Sequence, residues 1–121
     1  MDFDVAIIGG GSAGYAAASS AQSLGAQVAI IDPGPLGGLC ILKGCMPTKA
    51  ILRSSDIMAL MGRAKEFGIQ SVEAKAQLSA INDRKNKLIK EFADYRIEQL
   101  NSPRFTLIEE QAQFISPYEI K

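Results

Sequence analysis

The chain has 121 residues, enough for one domain with a modest hydrophobic core. Its 13 basic and 13 acidic side chains cancel at pH 7, which gives no reason to expect nucleic acid or a membrane surface as a partner. No apolar run reaches the roughly 18 residues of a membrane span. The acidic first residues do not resemble a secretory signal, so a cytoplasmic location is expected.

The first thirty or so residues follow a strand–turn–helix–strand pattern. Residues 4–8 and 27–31 are short, branched apolar runs, which are typical of buried parallel strands. Between them, the alanine-rich segment from about Ala13 to Leu24 predicts a helix, and Gly25 is a natural stop for it. The pattern predicts an α/β fold with a parallel sheet.

The turn after the first predicted strand matches the pattern G-x-G-x-x-G at Gly9, Gly11 and Gly14. In a dinucleotide-binding turn the first glycine permits the tight bend, the second lets the backbone approach a pyrophosphate, and the third lets helix and strand pack closely. Asp32 ends the second strand, 18 positions after Gly14, near the offset of a ribose-binding acid. The order of strand, glycine motif, helix, strand and acid favours a dinucleotide site over a glycine-rich turn of another α/β protein.

The remaining chain predicts two helices followed by short strands. The helices run from Pro47 to about Met61 and from about Glu73 to Leu100, and strands are predicted near residues 105–108, 111–115 and 118–121. The second helix carries an apolar stripe at helical spacing, which we interpret as a packing face. Its main members are Leu78, Ile81, Leu88, Phe92 and Tyr95.

Both cysteines of the chain, Cys40 and Cys45, lie in one stretch and are five positions apart. In a regular helix that spacing separates the Cα atoms by roughly 8–9 Å, whereas a disulfide needs less than about 7 Å. A bridge therefore requires irregular backbone between them. Gly44 favours such a backbone, and Pro47 favours a helix that begins at that proline.

A cysteine just before a helix N-terminus has a stabilised thiolate, and this describes Cys45. Lys49, in the first predicted turn, adds a positive charge. These features favour redox chemistry over two ordinary buried cysteines. A metal site is disfavoured and none is expected, because two cysteines without any histidine make a poor ligand set.

Taken together, the motif at Gly9–Gly14, the acid Asp32 and residues 37–49, which read Gly-Gly-x-Cys-x4-Cys-x-Pro-Thr-Lys, resemble the class I pyridine nucleotide-disulfide oxidoreductases. That family includes dihydrolipoamide dehydrogenase, glutathione reductase and mercuric reductase. The resemblance implies a Rossmann-like FAD-binding domain, of which residues 1–121 form an incomplete N-terminal portion. The family's NAD(P) and dimerisation domains, with their catalytic histidine, are expected to lie outside this chain.

The resemblance also implies roles for individual residues. The FAD pyrophosphate is expected at Gly9–Gly14 and its ribose at Asp32. Cys45 is expected to face the flavin as the charge-transfer sulfur, and Cys40 to exchange with a small-molecule dithiol or disulfide. The implied catalytic residues are Cys40, Cys45 and Lys49. The implied cofactor-binding residues are Gly9, Gly11, Ser12, Ala13, Gly14, Asp32, Gly37, Gly38, Lys49 and Ala112.

By the same resemblance, NAD or NADP is the co-substrate and the complete protein is a homodimer. The chain departs from the family pattern at four positions, because a common threonine, asparagine, glutamate and glycine are replaced by Leu39, Leu42, Asp32 and Glu110 respectively. A second hypothesis is that the chain is a non-catalytic nucleotide-binding fragment, or a module that complements another polypeptide.

Overall fold

A computed structural model describes residues 2–70 and 73–121 and shows an α/β fold, as predicted. A three-stranded parallel sheet packs against helices, and a separate two-stranded antiparallel hairpin follows it. The elements in chain order are β1 (Val5–Ile8), α1 (Ser12–Ser23), β2 (Val28–Ile31), α2 (Gly38–Leu42), α3 (Cys45–Gly62), a 3-10 turn (Ala64–Phe67), α4 (Leu78–Leu100), β3 (Thr106–Ile108), β4 (Phe114–Ser116) and β5 (Glu119–Ile120).

The parallel sheet brings three chain segments to one edge. Its order is β1-β2-β3, and Ile8, Ile31 and Ile108 are aligned at the carboxyl ends of the strands. All four residues of the central strand β2 are buried, which agrees with its continuous apolar sequence. The segments that leave this edge are the glycine-rich turn, the loop that begins at Asp32, and the stretch after β3. Ligands of open parallel sheets bind at such an edge.

The hydrophobic core lies between the sheet, α1 and the last turn of α4. Its buried members are Ala18, Val28, Ile30, Leu100 and Phe105. At its border, the guanidinium carbon of Arg96 lies 4.1 Å from the centroid of the Tyr15 ring, and that ring meets Phe105 edge-on at 6.1 Å. The C-terminal end of α4 is thereby fixed against α1.

The prediction of a packing face along α4 is wrong for part of the stripe. Leu78 is 69% exposed, Tyr95 60% and Phe92 45%, while the buried residues of this helix are Ala93 and Leu100. The reason is tertiary, because α4 meets the core at its C-terminal end and its earlier turns lie along α3. The helix also begins at Leu78, five residues after the predicted start.

Among the described residues, no helix combines the length and the apolar character needed to cross a bilayer.

Candidate functional site

The glycine-rich turn has the backbone geometry that its motif predicts. Gly9 has a φ of +100°, a left-handed conformation in which a side chain would be strained. A Cβ atom at Gly14 would overlap the carbonyl oxygen of Gly9 and would lie 3.3 Å from a methyl group of Ile7. The first turn of α1 therefore packs on β1 only because residue 14 has no side chain.

At the start of α1, this turn leaves backbone donors that have no partner among residues 2–70 and 73–121. Gly11 is the N-cap and contributes no side-chain hydrogen bond. Tyr15 is the first helical residue whose N–H is paired, to the Gly11 carbonyl at 2.9 Å. Within the described ranges, no acceptor pairs with the N–H groups of Ser12, Ala13 and Gly14. Such free donors at the positive end of a helix dipole form an anion-binding site.

Asp32 is tied to the glycine-rich turn by its carboxylate. The Gly10 N–H donates to Oδ2 at 2.5 Å, and the Gly34 N–H donates to Oδ1 at 2.8 Å. Each oxygen keeps a free lone-pair direction for a further donor. Sequence reasoning assigned no role to Gly10, where a Cβ would lie in tight contact with the Asp32 carboxylate, at 3.1 Å. The only signal in the sequence was the run of three consecutive glycines.

The cysteine segment rests directly on the glycine-rich turn. Gly38, the first residue of α2, has a φ of +76°, and a Cβ on it would lie 2.7 Å from the Cα of Gly11. Gly37 is also left-handed, with a φ of +121°. The two predicted motifs are therefore in backbone contact, although 27 positions separate Gly11 from Gly38.

Cys40 and Cys45 are joined by a disulfide, and their Cα atoms are 5.1 Å apart. The predicted break in regular backbone is confirmed, because α2 ends at Leu42 and α3 begins at Cys45. One detail of the prediction is wrong, because α3 begins two residues before Pro47. Cys40 lies in the short helix α2.

Gly44 lies in the irregular backbone between α2 and α3, as expected, and its φ of −114° is outside the left-handed region. In addition, a Cβ on Gly44 would lie 3.0 Å from both the Cα of Cys40 and the carbonyl oxygen of Leu39. A glycine is needed here because α2 and the start of α3 approach each other closely.

Two further predicted site residues, Lys49 and Ala112, lie on different elements of the fold. Lys49 is exposed on α3, one turn after Cys45, and no carboxylate in the described part of the chain lies within 4 Å of it. Ala112 lies between β3 and β4, four residues beyond the same sheet edge that carries Asp32. No group of three metal-ligating His, Cys, Asp or Glu side chains occurs in the described ranges.

The site combines a βαβ unit that has a phosphate-type turn with a second segment, in backbone contact with that turn, that carries the Cys40–Cys45 disulfide. The chain matches the family model described as pyridine nucleotide-disulphide oxidoreductase over residues 3–117. It belongs to that family, as the resemblance predicted.

Three relatives illustrate the match. The chain is 36% identical over 92 residues to a dihydrolipoyl dehydrogenase of Bacillus subtilis, covering 76% of this chain and 19% of the relative. It is 33% identical over 121 residues to a mercuric reductase of Staphylococcus aureus, covering 99% and 22% respectively. A solved copper(II) complex of the HOCl-induced flavoprotein disulfide reductase RclA from Escherichia coli superposes with a TM-score of 0.70 at 26% identity, covering 96% of this chain and 24% of that one. The chain thus spans about a fifth to a quarter of these relatives.

Proposed function

We propose that the protein containing this chain is an FAD-dependent oxidoreductase that interconverts small-molecule dithiols and disulfides through the Cys40–Cys45 pair. In this proposal NAD or NADP is the co-substrate, residues 1–121 are the N-terminal portion of the FAD-binding domain, and the complete protein is a homodimer. One observation carries the proposal: the segment that holds the disulfide is in backbone contact with the phosphate-type turn at Gly11 and Gly38.

The residues present fit the adenosine and pyrophosphate parts of FAD. Unpaired N–H groups at the start of α1 suit a pyrophosphate, which approaches closely because Gly9, Gly11 and Gly14 have no side chains. The Asp32 carboxylate, fixed by two backbone donors, suits the ribose hydroxyls. Bound there, FAD would supply the two-electron carrier that connects the disulfide with the nicotinamide.

The thiol chemistry follows from the positions of the two sulfurs. A substrate thiolate attacks Cys40 Sγ, so that a mixed disulfide forms, the Cys40–Cys45 bond breaks and Cys45 leaves as a thiolate. The second substrate thiol loses its proton to solvent and then attacks the substrate sulfur of the mixed disulfide. This releases a cyclic or linear substrate disulfide and leaves Cys40 as a thiolate. The substrate has then lost two electrons, and the cysteine pair has gained them.

Cys45 is the better leaving group because of its position in the fold. It is the first residue of the 18-residue helix α3, where the helix dipole stabilises a thiolate. Lys49 is one turn further along the same helix and adds a positive charge on the same side. Cys40 lies in the five-residue helix α2 and has no comparable dipole. We therefore assign thiolate stabilisation to Cys45 and exchange with substrate to Cys40.

The test uses the full-length protein. Reduction with NADH or NADPH should produce a long-wavelength absorption band from a thiolate beside the flavin. Cys45→Ser should abolish this band, whereas Cys40→Ser, the matched control, should keep it and lose dithiol turnover. A yellow wild-type protein without the band, or a band that survives Cys45→Ser, would contradict the assignment.

A second candidate function is nucleotide binding by the 121-residue chain itself, without catalysis. Three features within residues 9–34 favour it: the glycine-rich turn, the backbone donors at the start of α1, and the Asp32 carboxylate held by two hydrogen bonds. Titration of the isolated chain with ADP should give saturable binding that weakens in Asp32→Ala. Equal ADP binding by the wild type and this variant would exclude the site.

A further inference from the structure

A groove of about 210 Å³ lies between α3 and α4, beside the start of α3. Its apolar floor comes mainly from Met46 and from one face of α4, and its rim carries three cationic side chains. The full lining is Met46, Lys49, Ala50, Arg53, Arg84, Leu88, Ile89 and Phe92. The volume is below the roughly 300–1,000 Å³ of pockets for drug-sized ligands. A small ligand with an apolar part therefore suits it.

Among residues 2–70 and 73–121, no carboxylate forms a salt bridge with the cations on the rim. Lys49 and Arg53 are four residues apart on α3, a spacing that brings like charges together at a small energetic cost. Arg84 reaches across from α4, and its Nη1 donates to the Ala50 carbonyl at 3.0 Å. Asp56 and Asp83 are nearby in sequence, but within the described residues neither lies within 4 Å of these cations.

The Arg84 contact fixes one guanidinium at the groove. The bond to Ala50 uses one of the five N–H donors of Arg84, so the others remain for a ligand. Arg53 is exposed and faces the same groove. Two guanidinium groups above an apolar floor suit a carboxylate that ends an alkyl chain, because carboxylates accept paired N–H donors and the chain gains from burial.

We propose that this groove binds the carboxylate end of a small acid with an alkyl chain, and that Arg53 and Arg84 are its anion-binding residues. Resting on the proposed function, we further assign the acid to the dithiol or disulfide substrate. The groove starts at Met46, the residue after Cys45, and Arg53 lies about 12 Å along the helix axis from Cys45. The groove therefore selects substrates that carry a free carboxylate over their amides.

Binding is tested on the chain itself with probes that contain no sulfur. Octanoate should give saturable NMR shifts at the amides of Met46, Arg53 and Phe92, and octanamide should bind about tenfold more weakly, since it lacks the charge. Arg53→Gln combined with Arg84→Gln should weaken octanoate by about tenfold or more and leave octanamide unchanged. Glutamine at both positions removes the positive charge and keeps a polar side chain.

Arg63→Gln is the matched control, because it removes one positive charge near the far end of α3, where Arg63 pairs with Glu66 at 2.8 Å. Octanoate affinity should not change in this variant. A loss equal to that of the double variant would show that only net charge matters. Equal affinities for octanoate and octanamide, acetate binding as strong as octanoate binding, or no binding would each overturn the proposal.

The assignment to substrate has a separate readout. Reduction of the Cys40–Cys45 disulfide by dihydrolipoate should be faster than by dihydrolipoamide, and Arg53→Gln should remove this difference between the two rates. If octanoate binds but the two dithiols react at equal rates in the wild type, the groove is an acid site that does not serve the disulfide. Absence of the thiolate–flavin band in the full-length protein would overturn the proposed function alone.

Discussion

The backbone N–H of Gly10 donates to the carboxylate of Asp32 and so joins the turn after β1 to the loop after β2. Gly34 donates to the other carboxylate oxygen, which fixes the orientation of the group. In the proposed role, the acid is already oriented for a ribose before any nucleotide arrives. Such pre-organisation lowers the entropic cost of binding.

The first prediction concerns this carboxylate, which accepts two backbone hydrogen bonds. Asp32→Asn should destabilise the protein by about 1–3 kcal/mol, because one backbone N–H must then face the amide NH2 group. Asp4→Asn is the matched control: Asp4 accepts one backbone bond, from the Gln27 N–H at 2.8 Å, so asparagine can turn its oxygen to that donor. Asp4→Asn should change the free energy of unfolding by no more than about 0.5 kcal/mol. Urea unfolding measures both variants, and equal losses of stability would show that the two hydrogen bonds to Asp32 are not what makes its substitution costly.

The second prediction concerns the contact between the two motifs. Gly38 and Gly68 have nearly the same left-handed φ, +76° and +72°, but only Gly38 is close to other backbone atoms. Gly68→Ala should cost about 1–2 kcal/mol, the strain of the left-handed conformation alone. Gly38→Ala should cost about 1–3 kcal/mol more, because its Cβ would collide with Gly11. Urea unfolding of the pair isolates the collision, and similar costs for the two variants would exclude it.

The third prediction concerns the helix start. Gly14→Ala should be strongly destabilising, by about 3 kcal/mol or more, because the new Cβ overlaps the Gly9 carbonyl and backbone must move. Gly62→Ala, at the last residue of α3, meets no atom within 4 Å and should gain up to about 1 kcal/mol from helix propensity. Thermal unfolding followed by circular dichroism checks both signs. If Gly14→Ala left the stability unchanged, the backbone at Gly9 would be able to move away from the added Cβ.

The fourth prediction concerns the disulfide. Closing so short a loop should stabilise the chain by about 2 kcal/mol, so dithiothreitol should lower the free energy of unfolding by about that amount. A double variant, Cys40→Ser with Cys45→Ser, should be as unstable as the reduced wild type and should not respond to dithiothreitol. Iodoacetamide should label two thiols in the wild type only after reduction. Labelling without reductant would show that the bridge is absent.

Much of the fold could be predicted because its signals are local. The apolar runs that form β1 and β2, the glycines of the turn and the stop at Gly25 each act through neighbouring residues. Irregular backbone between Cys40 and Cys45 was predictable for the same reason, since helix geometry and disulfide geometry conflict at that spacing.

What sequence reasoning missed depends on contacts between distant segments. The bond from Gly10 to Asp32 spans 22 positions and exists only because the sheet aligns Ile8 with Ile31. The exposure of Phe92 and Tyr95 depends on where α4 meets its neighbours, which helical periodicity does not reveal. The role of Ala112 in nucleotide binding stays a prediction, and no local motif marks it.

The contact between Gly11 and Gly38 also sets the smallest unit that can be transplanted. An engineer who moved only α2 and the start of α3 to another scaffold would lose the flat glycine surface on which they rest. The portable piece has to include the turn, helix α1 and strand β2, roughly residues 4–62. The segment that carries the disulfide and the glycine-rich turn therefore have to be transferred together as one structural unit.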